Sequence, residues 1–151
     1  LPGDPQHVTG DVTDGHVDGV CAFARPGVLL VDATHDQGSV YAEVARENRR
    51  ALELATDAKG RRFELIELFE ASEAVDADAE VFCASYTNFY IANGAIIMPA
   101  YGIAADQVAA DVLAQVFPDR VVVPVRINHL AHGGGGVHCI TQQQPAWPVK
   151  E

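Results

Sequence analysis

The chain has 151 residues, 48% apolar and 21% charged, the composition of a folded domain of ordinary size. Ten basic against twenty-one acidic residues leave a formal charge of −11, which offers no footprint for nucleic acid, disfavours anionic membranes and favours a cationic partner. No apolar run approaches the roughly 20 residues of a membrane span. Three cysteines are an odd number for a disulfide framework, so free thiols in a reducing cytoplasm are expected. The chain opens Leu1-Pro2-Gly3-Asp4, with neither an initiator Met nor a secretory leader pattern; the expectation is a cytoplasmic chain, processed or cut from a longer one.

Leu1 to Asp14 is rich in Gly, Pro and Asp and reads as loop. From His16 the pattern turns β-prone: Val17, Val20 and Phe23, a turn at Arg25-Pro26-Gly27, then Val28-Leu29-Leu30-Val31, which predicts an antiparallel hairpin. Tyr41 to Ala55 changes to a helical period, with Val44, Ala45, Ala51, Leu52 and Ala55 on one face and Glu43, Glu47, Arg49 and Arg50 mostly on the other. Asp57-Ala58-Lys59-Gly60 ends that helix, and Phe63 to Leu68 predicts a strand. The order then recurs. Tyr86 to Ile91 reads as a strand, Ala92-Asn93-Gly94 as a turn, Ala95 to Met98 as a strand and Pro99 to Ala105 as a loop. Asp106 to Phe117 predicts a helix capped by Asp106, with Val108, Val112, Leu113 and Val116 inward, and Arg120 to Ile127 a further strand. Gly27 and Gly94 hold the same place in each copy. The chain therefore carries two strand–strand–helix–strand units, about 11–70 and 83–130, and the opening of another at 133–145, within one partial domain. From Phe63 through Asp119 there are ten acidic residues and no basic ones; Glu70 to Glu80 reads as an exposed acidic linker.

Three segments carry candidate chemistry. In Thr13-Asp14-Gly15-His16-Val17-Asp18, an extended backbone sets His16 and Asp18 on one face, as a base with its charge partner or as two metal ligands. In Gly133-Gly134-Gly135-Gly136-Val137-His138-Cys139-Ile140-Thr141-Gln142-Gln143-Gln144-Pro145, four glycines require tight bending or close approach to a ligand, and Cys139 is either a small buried thiol or a nucleophile. Cys21 and Cys83 read as buried thiols. In Ser85-Tyr86-Thr87-Asn88-Phe89-Tyr90, the aromatics are core packing, whereas Asn88 needs its amide satisfied if buried, as happens in an active site. No Cys-x-x-Cys or His-x-x-x-His spacing supports a zinc centre.

Taken together, these segments resemble the agmatine deiminases of the guanidine-modifying pentein superfamily, which also includes bacterial peptidylarginine deiminase. Pro99, Tyr101-Gly102 and Ala55-Thr56-Asp57-Ala58-Lys59-Gly60-Arg61 extend the likeness along nearly the whole chain, in the family's order. The resemblance implies an α/β propeller of strand–strand–helix–strand units, here an incomplete one matching the C-terminal part of a chain about twice as long. It implies Cys139 as nucleophile, His16 as the acid and base, and Asp18 as the carboxylate that fixes the guanidinium, with Asn88, Gly135 and Gly136 lining the substrate site. His138 is expected to be structural, on the opposite face of a strand from Cys139. The implied reaction is hydrolysis of agmatine to N-carbamoylputrescine and ammonia, for polyamine synthesis, through an S-alkylthiouronium intermediate, with no metal or organic cofactor. Carboxylates of the missing N-terminal part would help hold the substrate, so the partner is a homo-oligomer or a complementing N-terminal chain. Two other readings stand beside this one: deimination of peptidylarginine, and a non-catalytic fragment that requires its N-terminal half.

Overall fold

The computed structural model describes residues 1, 15–75 and 81–144. The expected N-terminal loop beyond Leu1, Thr13 and Asp14 of the first motif, most of the acidic linker and Pro145 lie outside the described residues. The hairpin forms where the β-branched pattern places it: β1 (Cys21–Arg25) pairs antiparallel with β2 (Val28–Ala33). The turn between them is closed by Gly27 at φ 83°, a left-handed conformation that favours glycine.

Helix α1 (Val40–Leu54) begins at Ser39, whose hydroxyl accepts the Tyr41 N–H at 3.2 Å. It crosses back so that β3 (Glu64–Phe69) lies parallel to β2, Val28 opposite Glu64 and Ala33 opposite Phe69. Its buried residues are Ala42, Asn48 and Leu52, so the inward face is rotated from the expected one; Val44, Ala45 and Ala51 are only half-buried.

The second unit repeats the first. A hairpin of β4 (Tyr90–Ala92) and β5 (Ala95–Ala100) leads through α2 (Ala105–Val116) to β6 (Val121–Arg126), parallel to β5. Gly94, at φ 75°, takes the turn position of Gly27. The expected strand over Tyr86 to Ile91 is reduced to its last part. Residues 84–89 are irregular because their polar groups bond elsewhere: the Thr87 N–H goes to the Ser85 hydroxyl and the Asn88 carbonyl accepts from His138. The strand β5 runs on through Pro99, which lies past the last β4 pair at Tyr90–Ile97. Asp106 is not the helix cap. It sits inside the first turn of α2, and its carboxylate turns back to accept the N–H groups of Tyr101, Gly102 and Ile103 and the Tyr86 hydroxyl. Ala109, Leu113 and Val116 form the buried face of α2, while Val108 is 62% exposed, contrary to expectation. The chain then forms a short helix α3 (Asn128–Ala131) before the glycine run.

The two units share one core. On β2, Leu30 belongs to the buried cluster that holds Tyr86, Ile96, Met98 and Leu113 of the second unit, while Leu29 and Val31 belong to a separate cluster with Leu52 of α1. Each large apolar side chain buried here contributes about 1.5–3 kcal/mol. Asp32 follows Leu30 by two residues and shares its face by strand parity, so a carboxyl is directed toward the second unit. Among the described residues, no helix is long and apolar enough to cross a membrane.

Candidate active site

The site is assembled from three segments distant in sequence. Residues Val17–Gly19 form one 3₁₀ turn that carries Asp18; His138–Ile140 form another that carries Cys139; and Asn88 lies between them, 1% exposed. The extended backbone expected at His16 to Asp18 holds only at His16, with φ −71° and ψ 137°, and gives way to the turn at Val17. In a turn of three residues per revolution, side chains two apart diverge, and no hydrogen bond or ion pair joins the His16 side chain to Asp18 or Cys139.

His138 corrects the sequence reading. It is not on the far face of a strand, because the segment is helical: its Nδ1 lies 2.7 Å from Asp18 Oδ2. The Cys139 thiol donates to the same oxygen at 3.5 Å. The glycine run, read from the sequence as requiring tight bending, precedes a helical turn where a strand was expected. Gly134 has φ 77°, and a Cβ on Gly136 would lie 2.5 Å from Asn88 Oδ1. The close approach these glycines permit is thus made to a side chain of the protein itself. Gly135 lies against Cys139, its Cβ position 3.3 Å from the cysteine Cβ.

Asn88 connects all parts. Its Oδ1 accepts the His138 N–H at 2.9 Å, which fixes the orientation of the amide, since only an oxygen can face that donor. Its Nδ2 therefore points to the Cys139 sulfur at 3.3 Å and to the Asp18 carbonyl at 3.3 Å. A buried amide that holds both turns at once sets sulfur against carboxylate.

Burial works against the charge of Asp18, but the hydrogen bonds from His138 and Cys139 outweigh it and lower its carboxyl below the usual value. The other two thiols move the opposite way. Burial raises Cys21, and burial pushes Cys83 up to about 11, leaving Cys139 as the exposed thiol beside a carboxylate. Among the described residues, no group of three His, Cys, Asp or Glu side chains could hold a metal ion.

Comparison with known proteins bears on this arrangement. Residues 5–145 match the model of the Porphyromonas-type peptidyl-arginine deiminases. The chain belongs to that family. A Streptomyces avermitilis protein named "Putative agmatine deiminase" is 41% identical over 147 residues, which cover 93% of this chain and 42% of that one. The solved agmatine deiminase of Enterococcus faecalis superposes with a TM-score of 0.81 at 35% identity, over 88% of this chain and 41% of its own. The chain thus spans about two fifths of the length of such relatives, and its fold is a partial pentein propeller.

Proposed function

We propose that this chain carries the nucleophile-bearing part of a guanidine deiminase, with agmatine as substrate. The observation that supports this most directly is the Asp18–Asn88–Cys139 arrangement, in which an exposed sulfur faces an ionised carboxylate and a buried amide donor. Guanidinium is a planar cation that keeps its charge at working pH, so a carboxylate suits it and its carbon needs a strong nucleophile. Asp18 accepts the substrate N–H groups, Gly136 lets Asn88 stand against the sulfur, and Gly135 lies beside Cys139. As the cationic guanidinium binds, Cys139 gives up its thiol proton to solvent, and the thiolate, which accepts from the Asn88 amide, attacks the guanidinium carbon. His16 gives a proton to the departing nitrogen, and ammonia leaves an S-alkylthiouronium. Water then adds to that carbon while His16 takes one proton; the C–S bond breaks, and the remaining hydroxyl proton passes to solvent, releasing N-carbamoylputrescine and restoring the thiolate.

A second assignment of the proton carrier has its own observation. His138, not His16, is the imidazole bonded to Asp18 beside the sulfur. His16→Ala and His138→Ala separate the two, since only loss of the true carrier removes turnover while Cys139 still alkylates normally. Ammonia release from agmatine and from an arginine peptide, by the parent and by Cys139→Ala, tests the activity. Release confined to the parent and to agmatine is expected. Release that survives Cys139→Ala overturns the reading, and preference for the peptide moves the substrate to peptidylarginine. A folded chain inactive in both forms marks a fragment that needs the remaining length of its relatives.

A further inference from the structure

One half-buried titratable group has no part in the chemistry above. Asp32 Oδ1 lies 2.6 Å from the Ser85 hydroxyl, and that hydroxyl also lies 3.0 Å from the carbonyl of Gly19, the last residue of the turn carrying Asp18. A second hydroxyl, Thr87 Oγ1, lies 2.6 Å from Ser85, and the Thr87 N–H points at Ser85 from 3.2 Å. Ser85 has one proton to donate. If Asp32 is ionised, its carboxylate takes that proton, and the Gly19 carbonyl has no donor in Ser85. If Asp32 is neutral, its own O–H and the Thr87 O–H donate to Ser85, and the Ser85 proton goes to Gly19. Only the second assignment places a proton in each of the three shortest contacts; the two O–H groups then take both Ser85 lone pairs, and the longer 3.2 Å approach of the Thr87 N–H is the contact left unmade.

The groups facing Asp32 agree. Glu70 comes from the end of β3, Cys83 from the segment that carries Ser85, and Tyr101 from the end of β5; none of them supplies a positive charge. Burial and Glu70 both favour the neutral acid. The Asp32 N–H also bonds the Val20 carbonyl at 2.8 Å, so the same residue holds this turn through its backbone.

We propose that Ser85 is a positioning residue for the Asp18 turn, and that it holds the turn only while Asp32 keeps its proton. Because the Asp18 carboxylate is the group assigned to the guanidinium, deprotonation of Asp32 releases the substrate-holding turn at high pH. This rests on that assignment, yet its test needs no substrate, so a chain that releases no ammonia can still decide it.

The test follows the Asp32 carboxyl resonance and the hydrogen exchange of the Gly19 and Val20 amides in the 151-residue chain as pH rises. These amides bond the carbonyls of His16 and Val17 within the turn. The expected result is a protonated Asp32 at neutral pH. About a tenfold loss of protection, beyond the intrinsic change in exchange rate, should share the midpoint of Asp32 titration. Asp32→Asn, a donor at every pH, keeps the turn protected throughout, and Ser85→Ala leaves it unprotected throughout. An ionised Asp32 with a protected turn at neutral pH overturns the proposal, as does an Asp32→Asn profile identical to that of a parent whose protection falls. Should Ser85→Ala not fold, the parent and Asp32→Asn profiles decide alone.

Discussion

At the scale of single residues, two carboxyls in this molecule depend on pH with opposite sign. Asp18 is lowered in the fold because hydrogen bonds from His138 and Cys139 outweigh its burial. Its contribution is therefore present above the unfolded value and lost as pH falls through the lower, folded one. Asp18→Asn should cost about 1 kcal/mol at neutral pH, a charge-assisted bond discounted for partial exposure, and the difference should close in acid. Asp32 is raised by burial, so folding holds its proton more tightly, and stability declines as pH climbs from the unfolded toward the folded value. Asp32→Asn should then be the more stable form at neutral pH and lose that advantage below the usual carboxylate range. Urea unfolding midpoints across pH check both signs in one series. The motif residues Asp18, Asn88 and Cys139 were legible as candidates from residue type and resemblance. The bond of His138 to Asp18 was not, since it depends on a backbone turn that residue type alone does not encode.

At the scale of elements, the glycine run and α1 each make a checkable claim. A methyl on Gly136 would stand 2.5 Å from Asn88 Oδ1 and 3.0 Å from its Cβ, with the amide already fixed by both turns. Gly136→Ala should destabilise by about 1–3 kcal/mol, the usual cost of overpacking, and displace Asn88 from the sulfur. A fall in Cys139 alkylation rate in a chain that remains folded would register the displacement; an unchanged rate would contradict it. Helix α1 buries Asn48 at 3% exposure, and its Oδ1 has no hydrogen-bond partner among the described residues. Asn48→Leu removes an unsatisfied buried polar atom and should raise stability by about 1 kcal/mol, measured as a higher unfolding midpoint. Hairpins and crossover helices were readable because apolar period and turn glycines are local signals. The strand expected at Tyr86 failed because Ser85 and Asn88 direct their bonds to residues far along the chain.

At the scale of the whole molecule, each sheet has, among the described residues, three strands and two edges. On β6, the outer strand of the second sheet, Val121 is 67%, Val123 38% and Val125 40% exposed. Unpaired edges with apolar side chains promote association. The 151-residue chain should therefore self-associate with rising concentration, and Val123→Lys should weaken that association without altering the far-ultraviolet spectrum. Sedimentation velocity across a concentration series would show it, and a monomer at every concentration would oppose it.

Sequence alone determined the class of the fold, the doubled strand–strand–helix–strand order and the family, because periodicity, turn chemistry and motif spacing are written along the chain. Tertiary structure decided which side chains meet. His138 rather than His16 bonds Asp18, the four-glycine run makes room for Asn88, and an unremarked Asp32 reaches the active-site turn through Ser85. These contacts join residues 48 to 120 positions apart, and their geometry follows from the packing of two sheets rather than from any local preference of the chain.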